Sequence, residues 1–261
     1  LLMEALGVQV QVPEHFDTDR FGTFTRDIDR PGDQIETARL KAKAAMEITG
    51  ETLAIASEGS FVPHPWLPGL PINREVVVLL DAQHDLEIVG QVTSTNTNFR
   101  HETVHSLAEA IAFAKAIGFP HHGLVAMTQR STKDPSHIIK GITDYDHLQA
   151  AVEQLAQQTS DGSVHLETDM RAHMNPTRMK VIAEATQDLL FNLQQSCPQC
   201  GAPGFTGRDR QPGLPCALCQ SPTTLTLAIV YHCRRCGYSQ EKLYPDGQYT
   251  ADPTYCSYCN P

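Results

Sequence analysis

Cysteine is absent from the first 196 residues of this 261-residue chain, which confines any thiol chemistry to the last quarter. Charge is sparse, at 19% Asp, Glu, Lys and Arg, with hydrophobics at 41%, a composition that excludes a disordered or fibrous protein. No apolar run approaches the roughly 18–20 residues that span a bilayer, so no transmembrane helix is expected. The opening LLMEALGVQVQVP has neither a basic leader nor a small-residue cleavage site, so it is not a signal peptide, and a cytoplasmic location follows. LLMEALG instead reads as the last turns of a helix capped by Gly7. A first strand and the beginning of that helix are therefore expected upstream. Excess positive charge is missing too. Residues 1–196 carry 15 basic and 26 acidic side chains, and residues 197–261 carry 5 and 4, so neither part offers the basic surface that a nucleic-acid backbone requires.

What is present is concentrated in the tail. Its eight cysteines form four CxxC pairs: Cys197/Cys200, Cys216/Cys219, Cys233/Cys236 and Cys256/Cys259. Two thiolates at that spacing grip one metal from a tight knuckle, and two knuckles complete a tetrahedral site. Gly201 and Gly237 follow two of the pairs, where the knuckle must turn. The gaps between pairs are 15, 13 and 19 residues, so eight ligands hold two ions. A disulfide framework is the weaker reading, because CxxC pairs make poor structural disulfides and no secretion signal is present. Sequential pairing, first with second and third with fourth, is preferred, with YHCRRCGYSQEKLYPDGQYTADPTYCSYCNP forming a ribbon by itself; a cross-braced arrangement satisfies the same spacing. Zinc suits a closed all-thiolate site, iron fits the same ligands less well, and the metal would supply most of the tail's folding energy. The expected division is an α/β domain over 1–196 and a double zinc ribbon over 197–261.

In the body, helices alternate with strands. Asp33 and Glu36 make a capping box for a helix ending at Gly50. Strands are expected at 53–57, 75–81, 86–92, 123–129 and 164–170, and helices at 106–118, 144–158 and 177–195. This order predicts an α/β fold with a mixed sheet flanked by helices. Three polar clusters sit where strands end or helices begin, the usual place for ligands in such sheets. IETARLKA offers Glu36 and Lys41, which otherwise serve as a cap and a solvated lysine. SEGSFVPHPW sets Glu58 among Ser57, Gly59 and Ser60 just past a buried strand, where it would bind a cation or activate water unless turn amides satisfy it. The Pro-rich stretch after it, with His64 and Trp66, is either a rigid pocket wall or an ordered loop. TDMRAHMNPTRM crowds Arg171, His173, Asn175 and Arg178 at a helix start, an anion site or a set of caps and surface ion pairs. His101, His105, His121 and His122 lack ligand-like neighbours in the sequence and read as ordinary polar residues.

Two resemblances follow from these stretches. The whole chain resembles an uncharacterised bacterial family of unknown function with a C-terminal double-CxxC ribbon, through FDTDRFGTFTRDIDRPG, ETARLKAKAAMEITG, ASEGSFVPHP, DMRAHMNPTRM, CPQCGAPGF and CSYCNP. That family implies no activity, but it suggests a short strand and a His-Gly-Lys-Glu-like segment upstream. The order ETARLKAKAAMEITGETLAIASEGSF is similar to the signature of the inosine-triphosphate pyrophosphatase superfamily, which hydrolyses non-standard purine nucleoside triphosphates. The resemblance matches Glu36 to the acidic helix position, Lys41 to the helix lysine, Glu58 to the acidic turn and Arg178 to a nucleotide-binding arginine. The chain departs from the signature in having Ser-Glu-Gly-Ser for a double aspartate and Thr37 for asparagine.

The resemblance implies a hydrolase of nucleoside triphosphates or a related phosphorylated small molecule, commonly a homodimer. In it, Glu36 and Glu58 hold Mg²⁺ and prepare the attacking water, and Lys41 and Arg178 neutralise phosphate charge. The alternative is a non-enzymatic module whose ribbon docks a protein or nucleic-acid partner. Arg208, Arg210, Arg234 and Arg235 with Tyr231, Tyr238, Tyr244, Tyr249, Tyr255 and Tyr258 would supply that surface. Packing of these tyrosines inside a ribbon with little other core is the preferred account of them.

Overall fold

The computed structural model describes residues 1–261 except Pro65, Trp66, Pro68, Ser131 and the side chain of Arg208. Two compact units are present, Leu1–Leu189 and Leu190–Pro261. Trp66, expected in a rigid pocket wall or an ordered loop, lies outside the described residues.

The first unit opens with a short helix, α1 (Leu2–Leu6), which ends at Gly7. A polar loop leads to α2 (Gln34–Thr49), whose N-terminus is capped by the Asp33 carboxylate accepting from the Glu36 amide. Three long strands follow as hairpins, β1 (Leu53–Pro63), β2 (Pro71–Asp81) and β3 (Leu86–Ser94), all antiparallel in the order β1-β2-β3. Side-chain alternation gives this sheet two covered faces. Val76, Val78 and Leu80 with Ala54 and Ala56 pack on Ala38 and Ala42 of α2. The opposite face carries Glu75, Val77 and Gly90. A Cβ at Gly90 would overlap the Ala185 carbonyl and the Leu189 amide of α5 (Pro176–Gln194), so only glycine lets that helix backbone approach so closely.

A second antiparallel sheet has the order β4-β7-β5-β6, from β4 (His101–Val104), β5 (Leu124–Met127), β6 (Ile138–Ile142) and β7 (Val164–Thr168). One face, with Val104, Leu124, Ala126, Val164 and Leu166, buries itself against α3 (Leu107–Ile117) and α4 (Tyr145–Ala156). The other face therefore carries the intervening residues His101, Thr103, Val125, Met127, Lys140, His165 and Glu167. Polar side chains in strands thus have a fixed destination.

Three expectations need correction. The mixed sheet is replaced by antiparallel pairing between all of the named strands: β1, β2 and β3 join through hairpins, and the helical crossovers β4–α3–β5 and β6–α4–β7 each skip one strand, so the parallel strands they join are separated by an antiparallel one. Ser57-Glu58-Gly59-Ser60 is not a turn: β1 runs through it, held by β2 as far as Pro63. Strands β4 and β6, of four and five residues, are additions the sequence pattern did not announce.

The second unit is built on β8 (Thr206–Pro212), β9 (Thr226–His232) and β10 (Ser239–Leu243), antiparallel in the order β10-β9-β8. No helix among the described residues is long and apolar enough to cross a membrane.

Candidate functional site

The cysteines lie on four near-identical knuckles. In each, the residue after the second cysteine donates its amide to the carbonyl of the first: Gly201 to Cys197, Gln220 to Cys216, Gly237 to Cys233 and Asn260 to Cys256, at 2.8–3.0 Å. The three strands decide the pairing. Thr206, just after the first knuckle, lies opposite His232, just before the third. Strand β8 is seven residues, roughly 20 Å, so its far end delivers the second knuckle to another place. Cys197, Cys200, Cys233 and Cys236 therefore form one group, and Cys216, Cys219, Cys256 and Cys259 the other. Sequential pairing is thus corrected to a cross-braced one. The Sγ–Sγ separations of 3.8 and 3.6 Å in the first group and 3.9 and 3.6 Å in the second are too long for disulfides. They match the edge of a tetrahedron with Zn–S bonds of about 2.3 Å, which is about 3.8 Å. Each group can hold one zinc ion. The Ser221 hydroxyl and amide hold the Cys219 thiol down at about 6, while Cys259, hydrogen-bonded to it, is pushed up to about 12. Thiols this close share their ionisation, and a cation allows all four to be thiolates.

Tyr231 and Tyr238 pack with Phe205 against Cys197 and Cys233, as expected of a small ribbon. Tyr249, Tyr255 and Tyr258 do not: they are 71%, 57% and 77% exposed, Tyr249 with its ring centroid 4.9 Å from that of Tyr244.

The first unit contains a cavity of about 530 Å³, within the size range of small-molecule sites. Lys41, Ser57, Glu58, Arg171, His173 and Arg178 line it, so most of the three sequence clusters converge there. Their placement follows from alternation. Glu58 continues the Ala54, Ala56 row that faces α2, and it meets Lys41 where the apolar contact ends. Lys41 Nζ lies 2.6 Å from Glu58 Oε2, and Arg30 Nε lies 2.8 Å from Oε1. Across the cavity, Asp169 accepts from Arg171 Nε at 3.0 Å and from a terminal nitrogen at 2.6 Å. Lys140 is held by Asp27 at 3.0 Å. Burial pushes the Asp27 carboxyl up, but hydrogen bonds from Thr23, Thr25 and Lys140 outweigh it and lower its pKa to about 2. Phe16, Phe24 and Phe99 add aromatic wall.

Three residues named from sequence serve the frame. Gly59 donates space: a Cβ there would overlap the Glu75 carboxylate and come within 2.7 Å of Arg178. Ser60 bonds Gln34, and Asn175 caps α5 by accepting from the Arg178 amide at 3.0 Å. Arg178 is itself engaged, with Nε 2.7 Å from Glu75 Oε1, a terminal nitrogen 3.2 Å from Oε2, and the other donating to Met170 O. Its guanidinium sits 4.7 Å from the Phe24 ring centroid.

The magnesium pair expected at Glu36 and Glu58 does not form. Glu36 and Lys41 are five residues apart, about 140° around the helix, so they face different ways. Glu36 pairs with Arg39, its side chain 45% exposed, and is not among the residues lining the cavity. Glu58 is engaged by two cations instead. Among the described residues, the only groups of three or more ligand-type side chains close enough for an ion are the two cysteine sets.

Sequence reasoning missed Arg30, Glu75, Asp27, Lys140, Glu167 and Asp169. A usable signal was there for three of them: a carboxylate set at an inward-facing position of a Val/Leu-rich strand or at its end, as at Glu75, Glu167 and Asp169.

The model of the family described as Domain of unknown function (DUF6671) matches residues 41–261, and the chain belongs to that family. No curated protein and no solved structure matches.

Proposed function

We propose that the first unit is a hydrolase of phosphorylated small molecules of the nucleoside triphosphate class, and that the zinc unit is structural. The observation that carries this reading is the Lys41–Glu58 pair, with Arg30 on the same carboxylate, in the wall of a cavity that Lys140, Arg171 and His173 also line. An ammonium has three donors, and a phosphate group competes with the carboxylates for them. Phe16, Phe24 and Phe99 offer stacking surfaces for a base.

When phosphate engages Lys41, Glu58 Oε2 is released toward the cavity while Arg30 keeps Oε1 in place. Glu58 then accepts a proton from water as the water oxygen bonds to phosphorus and the P–O bond to the departing phosphate breaks. Lys41 and Arg171 balance the charge that develops. No protein-held magnesium site enters this scheme, because the residues do not fit one.

The test is phosphate and pyrophosphate release by zinc-loaded protein from a panel of standard and deaminated nucleoside triphosphates, with Glu58→Gln and Lys41→Met alongside. Turnover reduced at least ~100-fold by Glu58→Gln, with the fold retained, supports the assignment. Silence across the panel from folded wild-type protein, or unchanged turnover in the variant, overturns it.

One observation favours a second reading. The exposed Tyr249, Tyr255 and Tyr258 suit stacking on a single-stranded nucleic acid. Salt-dependent oligonucleotide binding weakened by Tyr258→Ala is its expected signature; no binding at low salt closes it.

A further inference from the structure

On the polar face of the second sheet, cross-strand pairing places Thr103 opposite His165, and His101 opposite Glu167. The Thr103 hydroxyl is 3.1 Å from His165 Nδ1, and His165 Nε2 is 3.3 Å from Glu167 Oε1. One tautomer satisfies both contacts: Nε2 carries the proton and donates to the carboxylate, leaving Nδ1 to accept from the hydroxyl. The imidazole and the carboxylate are buried, with side chains 6% and 4% exposed, while Thr103 is open to solvent. Arg26, 2.6 Å from Glu167, keeps the acid charged. Burial would raise the Glu167 carboxyl, but the hydrogen bonds from His165 and Arg26 prevail and lower it. A second cavity of about 340 Å³ opens over this row, lined by His101, Thr103 and His165 on one side and by Gln129 and Arg130 on another.

We propose that Thr103, His165 and Glu167 form a nucleophile–base–orienter set, with Thr103 and His165 in the wall of this second cavity, acting on a small activated acyl ester. A hydroxyl within reach of an imidazole that a buried carboxylate orients is the arrangement by which a weak nucleophile is activated. The row does more than stabilise a strand edge. An edge threonine needs no buried imidazole to stay in register, and Glu167, its charge balanced by Arg26, is left to orient that imidazole. In the reaction, Thr103 Oγ bonds to the carbonyl carbon and its proton moves to His165 Nδ1. Imidazolium charge is offset by Glu167, and Gln129 and Arg130 provide N–H donors for the carbonyl oxygen. The C–O bond to the leaving alkoxide then breaks, and that alkoxide takes the proton from His165. Water enters by the same steps in reverse, releasing the acid and restoring the threonine.

Thr103 and His165 do not line the Lys41–Glu58 cavity, although Glu167 does, so variants at Thr103 and His165 test this assignment apart from the proposed hydrolase. The probe is p-nitrophenyl acetate with the full, zinc-loaded chain, following p-nitrophenolate release and mapping acetylation by peptide mass spectrometry. The expected result is acetylation at Thr103, retained by Thr103→Ser and reduced at least ~100-fold by both Thr103→Val and His165→Gln. Acetylation confined to lysines, or a rate that Thr103→Val does not alter in a protein with wild-type circular dichroism, overturns the proposal.

Discussion

Replacing Arg178 with methionine isolates the interaction that joins α5 to the first sheet. Glu75 is fully buried and Arg178 is 5% exposed, and the variant removes both hydrogen bonds that the carboxylate accepts from the guanidinium. Breaking one partner of a buried pair costs about 3–5 kcal/mol, because the charge left behind has no water to return to. At roughly 2–4 °C per kcal/mol for a unit of this size, the midpoint of thermal unfolding falls on the order of 10 °C. The Phe24 ring stacked on the guanidinium adds a smaller loss. Urea unfolding followed by circular dichroism measures the total, and hydrogen exchange resolved by peptide assigns it to the first unit. The double variant Glu75→Leu/Arg178→Met supplies the control. With both charges gone, it recovers much of the loss, since an apolar pair of similar volume is close to neutral against a buried ion pair. A cost below ~1 kcal/mol for Arg178→Met, or a double variant whose cost is the sum of the two singles, would refute the account of Arg178 as a structural residue.

Three further outcomes are expected. The Asn73 side chain is fully buried with neither Nδ2 nor Oδ1 hydrogen-bonded, so Asn73→Leu raises stability by about 1 kcal/mol; a lower melting temperature would contradict this. Asp27, lowered from 3.8 to about 2, contributes about 2 kcal/mol at most, fully present above pH ~4 and lost as pH falls through ~2. Asp27→Asn is therefore less stable than wild type at pH 6 and equal to it near pH 2, as urea midpoints at the two pH values check. For the zinc groups, Cys197→Ser/Cys233→Ser damages one cross-braced site and leaves one ion per chain, whereas Cys197→Ser/Cys216→Ser damages both. Equal zinc content in the two variants, measured by elemental analysis, would reject the cross-brace.

The legible part of this protein was the part governed by local rules. Capping boxes at Asp33 and Ser106 start helices through accepted amides in the chain, and four CxxC knuckles are local by nature. Thiol pairing was not local, since it depends on β8 and β9 running antiparallel, and spacing alone favours the nearer partner. Sheet direction failed for a similar reason. Helix–strand alternation suggests parallel crossovers, but β1, β2 and β3 close on each other through hairpins. In the candidate site, Lys41 and Glu58 were found because each stands out locally. Their partner Arg30, and the Lys140–Asp27 pair, come from segments whose sequence carries no sign of where they dock. Arg178 looked like a ligand for phosphate and is instead committed to Glu75, a long-range partner more than a hundred residues away in the chain.

The central claim is that the Lys41–Glu58 cavity receives a phosphorylated small molecule. Isothermal titration of the zinc-loaded full chain with nucleoside triphosphates, wild type against Lys41→Met, tests it without requiring turnover. The account predicts saturable binding of one ligand per chain, weakened at least ~10-fold when the Lys41 ammonium, about 1.4 kcal/mol or more of charge-assisted hydrogen bonding, is removed. Absence of binding by the folded wild type, or equal affinity in the variant, contradicts it.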